Sequence, residues 1–463
     1  MNADLAYLTI GEASRRIAAG DLSPVDLTEA LIDRARQIDG KLGSFVTRTD
    51  DQARAAARRA EEEIRKDGAR TPLHGIPIAL KEAFDTAGVR TTVGSRLFED
   101  RVPSRDATAW ARLKGSGAVL LGKLETTEFC YGGPSGDSLF RPARNPWNAE
   151  HYAGGSSSGA GVALAAGLTL GALGTDTGGS IRLPAAYCGI TGFMPSFGLV
   201  SRAGVFPLSP TLDHVGPMAR SVEDCAILLY ALAGHDVQDP GSVAQPVVDY
   251  RADLAGGVQG LRIGLATSLA QASAVSDEGL AAYEAAAETF RKLGADVREA
   301  RLATLDDYAT AQIVITISEG YALHERMLRA RRDAYSYHTR MRLSLGPFVQ
   351  AADYIRGLRL RDDLIRDYRE TMRDFDVLLI PGAPGAAPKA AAVGAYQFFR
   401  NPLVTMPANV LGAPAIAQPA GMSKDGLPLA IQLMGKPFAD ATVLRAAAAF
   451  EQATEWHKAR PPL

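Results

Sequence analysis

Two glycine–serine segments separated by an apolar stretch constrain this chain more than anything else in it. They are Gly154-Gly155-Ser156-Ser157-Ser158-Gly159-Ala160-Gly161 and Gly174-Thr175-Asp176-Thr177-Gly178-Gly179-Ser180-Ile181-Arg182-Leu183-Pro184. From Gly132 to Gly204 the chain is rich in glycine and serine, yet apolar residues are interleaved throughout, which a flexible linker would lack. Two such loops joined by an apolar helix can bring two hydroxyls together. In the second loop, Gly178 and Gly179 permit a tight turn and a close approach to a ligand. Consecutive backbone N–H groups there can hold the negative oxygen of a carbonyl under attack, which sets Ser180 beside its own oxyanion hole.

A serine hydroxyl is a poor nucleophile until a base removes its proton. No histidine stands in a GxSxG or similar context, so the base is sought elsewhere. Lys81 ends the apolar run Gly75-Ile76-Pro77-Ile78-Ala79-Leu80 and precedes Glu82, where packing gives no reason for a lysine. Alone it reads as a solvated lysine at a strand end. If buried, its ammonium form is disfavoured and the neutral amine becomes a base near neutral pH. Serine–lysine pairs are a variant of triad chemistry.

The remaining composition narrows the field by exclusion. Fifty basic against fifty-two acidic side chains give a formal charge of −2, so bulk electrostatics point to neither nucleic acid nor an anionic membrane as partner. Three scattered cysteines without a CxxC pair suit a reducing compartment, and Cys188 reads as a small buried hydrophobe. The seven histidines contain no HExxH and no His/Cys cluster, so no metal site is expected; His214 reads as structural. No cofactor motif is read, and a phosphate-binding GxxxxGK[ST] loop is missing. The start, Met1-Asn2-Ala3-Asp4, has no basic region ahead of an apolar run. The longest apolar stretch, Val162 to Leu173, is short and glycine-broken, and fits a buried helix better than a membrane span. A cytoplasmic protein acting on a small molecule is expected, as monomer or homodimer.

Along the chain, Thr9 with Glu12 and Ser23-Pro24 mark the starts of two short helices, and a charged helix over 50–66 ends at Gly68. Leu261–Leu265, Asp277–Leu293 and Ala295–Val297 predict strand, helix and strand, with Ser276 as N-cap and Gly294 as stop. The stretch from Leu305 to Asp374 is mostly helical. Ala415–Gln418 and Leu429–Met434 flank Lys424-Asp425-Gly426 as a hairpin. Alternating strands and helices predict an α/β fold with a central mixed, twisted sheet and helices on both faces. One domain over 1–463 is expected, with an N-terminal helical segment (1–68), a catalytic core (69–225) and pocket-forming helices and loops (305–402).

At this point the residues meet a family. The run from Gly154 to Ala185 resembles the amidase signature, and Gly75 to Gly88 resembles that family's lysine motif. The spacings agree, 75 residues from Lys81 to Ser156 and 24 from Ser156 to Ser180. Similarity continues through Arg144-Asn145-Pro146-Trp147, Asp213–Met218 and Met406-Pro407-Ala408-Asn409, nearly the whole length. The resemblance implies Ser180 as acyl-forming nucleophile, Ser156 as bridging serine after a cis peptide at Gly155, and Lys81 as base. It implies an oxyanion hole from the amides of Thr177, Gly178, Gly179 and Ser180. Asp176 and Arg182 resemble a loop-fixing pair, equally readable as purely structural, and Ser157 a supporting hydroxyl. For substrate contact the candidates are Tyr131, Gly132, Gly133, Ile181 and Phe399; Tyr321, Phe348, Tyr354, Tyr396 and Phe398 are further aromatic candidates, of which a minority should touch substrate.

The expected activity is hydrolysis of a carboxylic amide C–N bond, with aryl esters and carbamates chemically accessible, and the aromatic content leans toward a hydrophobic or aryl amide. Two alternatives stand beside it. One is the glutaminase subunit of a tRNA-dependent amidotransferase; those subunits carry an acidic residue just before the segment matching Met406–Asn409, where this chain has Pro402, a departure that favours a free-standing amidase. The other is a non-catalytic binding protein of the same fold.

Overall fold

The computed structural model describes residues 3–272 and 275–463, so Met1 and Asn2 of the start lie outside it. Among the described residues, eleven strands form one mixed sheet: β1 (Phe45–Arg48), β2 (Pro77–Lys81), β3 (Val119–Leu124), β4 (Gly171–Asp176), β5 (Thr191–Met194), β6 (His214–Ala219), β7 (Arg262–Leu265), β8 (Asp296–Glu299), β9 (Val377–Pro381), β10 (Ala415–Met422) and β11 (Pro428–Gly435). Their order is β1-β3-β2-β4-β6-β5-β10-β11-β9-β7-β8. β2 runs parallel to β3 and β4, and β7 parallel to β8 and β9. The expected hairpin is present as the antiparallel pair β10–β11.

Both faces of the sheet are buried, which is why its central strands read as unbroken apolar runs. Successive side chains point to opposite faces. Ile78 and Leu80 of β2 and Leu173 of β4 join a core built with Ile10, Leu27, Leu228 and Val443 from helices. Ala79 and Ala172, one residue away in each strand, join a second core with Val162, Leu164, Ala185 and Cys188. At the other end, Leu378 and Ile380 pack against Tyr308, Leu364 and Tyr368 of the helices Leu305–Ala330 and Ala351–Thr371. At one edge, β8 carries Asp296, Arg298 and Glu299, charges that discourage further strand pairing.

The helix starts fall where the capping residues place them. Thr9 and Glu12 form the reciprocal capping box of Ile10–Ala19, Ser23 caps Pro24–Leu42, and Ser276 caps Asp277–Lys292. Two expectations need correction. Val162 to Leu173 is not one helix: Ser158–Ala165 ends, Gly167 turns the chain at φ +69°, and β4 begins at Gly171. The N-terminal segment is not wholly helical, since β1 pairs with β3 as a short, half-buried edge strand. Among the described residues, no helix is long and apolar enough to cross a membrane.

Candidate active site

β2 ends at Lys81, which is 0% exposed, and the parallel neighbour β4 delivers Thr175 and Asp176 at the same end. Lys81 Nζ lies 2.7 Å from Ser156 Oγ and 2.6 Å from Thr175 Oγ1. Two hydroxyls, rather than a carboxylate, therefore receive the amine, and no ion pair engages it among the described residues. Burial lowers its pKa, opposed in part by nearby Cys130, Asp176 and Asp213. The adjacent Glu82 points the other way, as strand alternation requires. It accepts from Thr92 and sits 3.6 Å from the buried Lys123. The charge beside Lys81 in sequence is thus neutralised away from it in space.

The first glycine–serine loop enters the helix Ser158–Ala165, with a cis peptide between Gly155 and Ser156. Thr126 Oγ1 donates to the Ser156 carbonyl (2.9 Å), Ser157 Oγ to the Thr175 carbonyl (3.3 Å), and Ser158 Oγ to Glu125 (2.5 Å). Burial pushes the Glu125 carboxyl up to about 7. The Ser157 amide donates to the Ser180 carbonyl at 3.1 Å, stitching the two loops together. Ser156 and Ser180 line one cavity of about 70 Å³. The Ser180 hydroxyl makes no hydrogen bond among the described residues.

The second loop is organised by Asp176. One carboxylate oxygen accepts from the Gly179 amide (2.7 Å) and Arg182 Nη2 (2.9 Å); the other accepts from the amides of Ile181 and Arg182 and from Arg182 Nε (3.0, 3.3 and 3.1 Å). Burial alone would raise this carboxyl, but the Arg182 guanidinium and the N–H donors outweigh it and hold it down at about 2. Arg182, itself 0% exposed, reaches onward to the Thr405 carbonyl, Asn409 Oδ1 and Gln432 Oε1. Thr405 Oγ1 donates to the Gly178 carbonyl at 2.7 Å. A Cβ on Gly179, whose φ is +126°, would sit 2.2 Å from that same Thr405 hydroxyl, so only glycine fits.

This geometry narrows the expected oxyanion donors. The Gly179 amide is committed to Asp176, whereas those of Thr177, Gly178 and Ser180 meet no acceptor among the described residues. Thr177 is further fixed through its hydroxyl, 2.6 Å from Asp213.

Of the residues expected to touch substrate, Tyr131, Gly132 and Phe399 line the cavity, and so does Phe398. Ile181 does not: it is 0% exposed and packs in the core beneath Gly174, Gly192 and Gly216. Gly133 lies outside the lining, facing Val393 and His338. Phe348 is 83% exposed, and Tyr354 is engaged by Glu319. His214 is a buried structural group, its Nδ1 2.8 Å from the Leu212 carbonyl, and Cys188 is buried. Sequence reasoning misses Thr175 and Thr405, and also Gln312 and Arg342, which line the cavity. Thr175 stands inside the second loop, where its position alone could mark it, whereas Arg342 is one arginine in an arginine-rich helical stretch and carries no distinguishing signal.

Comparisons with known proteins identify the family. The amidase family profile matches residues 26–444. One of the subunits of the glutamyl-tRNA(Gln) amidotransferase of Trichlorobacter lovleyi is 40% identical over 486 residues, covering 99% of this chain and 100% of that one. Its counterpart in Geobacter metallireducens is 39% identical over 480 residues, covering 98% and 99%. The solved peptide amidase of Stenotrophomonas maltophilia superposes with a TM-score of 0.85 at 31% identity, covering 98% of each chain. With its signature loops and a family match spanning most of its length, this chain belongs to the amidase-signature family.

Proposed function

We propose that this protein hydrolyses a carboxylic amide through a Ser180 acyl-enzyme, with Ser156 and Lys81 as the proton relay. The observation that carries this reading is the buried, ion-pair-free Lys81 amine held 2.7 Å from Ser156 in the wall of the cavity that holds Ser180. Neutral Lys81 takes the Ser156 proton as Ser156 takes that of Ser180. The Ser180 oxygen bonds to the acyl carbon, and the carbonyl electron pair moves onto oxygen, facing the amides of Thr177, Gly178 and Ser180. When that oxyanion collapses, the C–N bond breaks and the nitrogen leaves with the proton returned through Ser156. Water repeats the sequence and frees the acid. The Ser156–Ser180 hydrogen bond forms with substrate in place, since catalytic contacts tighten on binding. Primary amides, anilides, esters and carbamates share this chemistry; a cytoplasmic monomer or homodimer is part of the same reading.

A fluorophosphonate probe should label the wild type at Ser180 and spare Ser180→Ala, and Ser156→Ala should lose amide turnover. No labelling and no turnover across a broad amide panel would support a binding protein instead.

A second reading is favoured by the relatives over the free-standing amidase suggested by Pro402: the chain as the glutaminase subunit of an amidotransferase. Relatives matched over 98–99% of this chain are named as glutamyl-tRNA(Gln) amidotransferase subunits. Copurification with partner subunits and glutamine-dependent amidation of a misacylated tRNA would establish it; glutamine inert in their presence would exclude it.

A further inference from the structure

We infer that a second cavity, at the other end of the helix Ser158–Ala165 from Ser156, is a binding site for a small phosphate monoester. It encloses about 380 Å³, and its lining includes Glu12, Trp147, Arg220, His457, Lys458 and Arg460. None of its residues borders the Ser180 cavity, so the inference stands apart from the hydrolase reading. Three cations against one acid give the lining a formal charge of +2, in a chain whose whole charge is −2. A concave cluster of one sign focuses its field on whatever enters.

The guanidinium carbons of Arg34, Arg220 and Arg460 gather round the Tyr7 ring, 5.1, 5.7 and 4.2 Å from its centre. Holding backbone carbonyls explains part of this cluster. Arg34 Nε donates to the Ala166 carbonyl at 2.8 Å, and Arg220 Nη1 to those of Leu164 and Thr169 at 3.2 and 2.9 Å. Arg220 Nη2 donates to the Leu8 carbonyl. Three groups are left over. Arg220 Nε is buried without a partner, and so is His457 Nδ1. Arg460 makes no hydrogen bond or ion pair among the described residues, yet stands near enough to Arg220 to disfavour its charge.

The nearby acids do not answer the cluster. Glu12 and Asp224 act on Arg220 only at longer range. Glu12 commits a carboxylate oxygen to the Thr9 amide, and Asp224 commits one to the Gly11 amide. Lys458 pairs with the exposed Glu455 at 2.6 Å, which leaves Arg220 and Arg460 unmatched. A phosphate monoester fits that set. It carries close to two negative charges near pH 8, and its oxygens accept from both guanidinium groups and from the imidazole. A phosphodiester or a carboxylate brings only one charge. Trp147, Cys188 and Ile190 make another part of the wall apolar, which suits an ester's carbon body better than a bare ion.

The test is isothermal titration calorimetry on the full chain at about pH 8, with ionic strength matched by sodium chloride. Phenyl phosphate should bind most tightly, inorganic phosphate next. Dimethyl phosphate, with one charge, and phenol, with none, should bind at least about tenfold more weakly than the phenyl ester. At a hundredfold excess over Kd, phenyl phosphate should raise the melting temperature by about 2–3 °C. Arg460→Gln, at an exposed residue, should melt like the wild type and weaken phenyl phosphate about tenfold. Arg220→Gln should abolish binding; if losing three carbonyl contacts prevents it from folding, Arg460→Gln decides alone. No heat from either phosphate up to about 10 mM, an equal melting shift from sodium chloride, or unchanged affinity in Arg460→Gln would overturn the inference. Inorganic phosphate bound as tightly as the phenyl ester would overturn the assignment to an ester.

Discussion

Replacing Asp176 by asparagine keeps the shape of the loop support and removes its charge. In the wild type the carboxyl is held near 2 against an ordinary 3.8, a shift worth about 2 kcal/mol of stability. The sign follows from the lowered value: that stability is present above the unfolded pKa near 4 and is lost as pH falls from about 4 to about 2. Substitution does more than forfeit this term. Each carboxylate oxygen faces two or three N–H donors, so an asparagine NH₂, whichever way it turns, meets donors on one side. Arg182 is left as a buried cation with neutral partners only, and breaking such a pair costs about 3–5 kcal/mol. For a chain of this length the unfolding entropy is roughly 1 kcal/mol per kelvin, which converts the loss into a melting temperature about 3–5 °C lower. The loosened loop should also reduce kcat on the order of 10²- to 10³-fold. Differential scanning calorimetry at pH 7 and initial rates on any cleaved amide measure both. A variant that melts within roughly 1 °C of the wild type and keeps kcat within about threefold would refute the argument that this ion pair shapes the nucleophile loop.

Lys81→Ala should lower kcat by at least about 10³-fold with partial recovery at high pH, where hydroxide replaces the missing base. Wild-type kcat/KM should fall as pH drops, because protonating Lys81 removes the base; the midpoint should lie below the ordinary lysine value of 10.5, and a midpoint at or above it would contradict the effect of burial. Gly179→Ala forces a Cβ into Thr405 at positive φ and should destabilise the loop by roughly 1–3 kcal/mol, read by chemical denaturation. Lys123→Met strands the buried Glu82 and should destabilise the fold by about 3–5 kcal/mol, whereas adding Glu82→Gln should restore part of that loss. Additive losses in that double variant would mean the two side chains do not act as a pair.

The parts of this molecule legible in its sequence are those encoded over short distances. Capping residues announce Ile10–Ala19, Pro24–Leu42 and Asp277–Lys292 because a cap is a local hydrogen bond. Lys81, Ser156 and Ser180 stand out because glycine spacing and an isolated lysine after an apolar run are unusual patterns. What escapes depends on which distant segment lies opposite. Val162–Leu173 reads as continuous apolar sequence, and nothing in its hydrophobicity separates a buried helix from a strand buried on both faces; Gly167 makes the division. Ile181 looks like a substrate contact from its place beside Ser180, yet the start of the helix Arg182–Cys188 turns it into the core. The Gly179 amide looks free in sequence, whereas in the fold Asp176 holds it.

Arg182 has a consequence for how the enzyme comes into being. Its guanidinium joins the Ser180 loop to Thr405, Asn409 and Gln432, positions more than 220 residues further along the chain. A polypeptide emerging from the ribosome therefore carries Lys81, Ser156 and Ser180 for half of its synthesis without the groups that fix the loop between them. If Ser180 acts as proposed, nascent or C-terminally clipped forms lacking the final hairpin should be inert toward amides while still containing Lys81, Ser156 and Ser180.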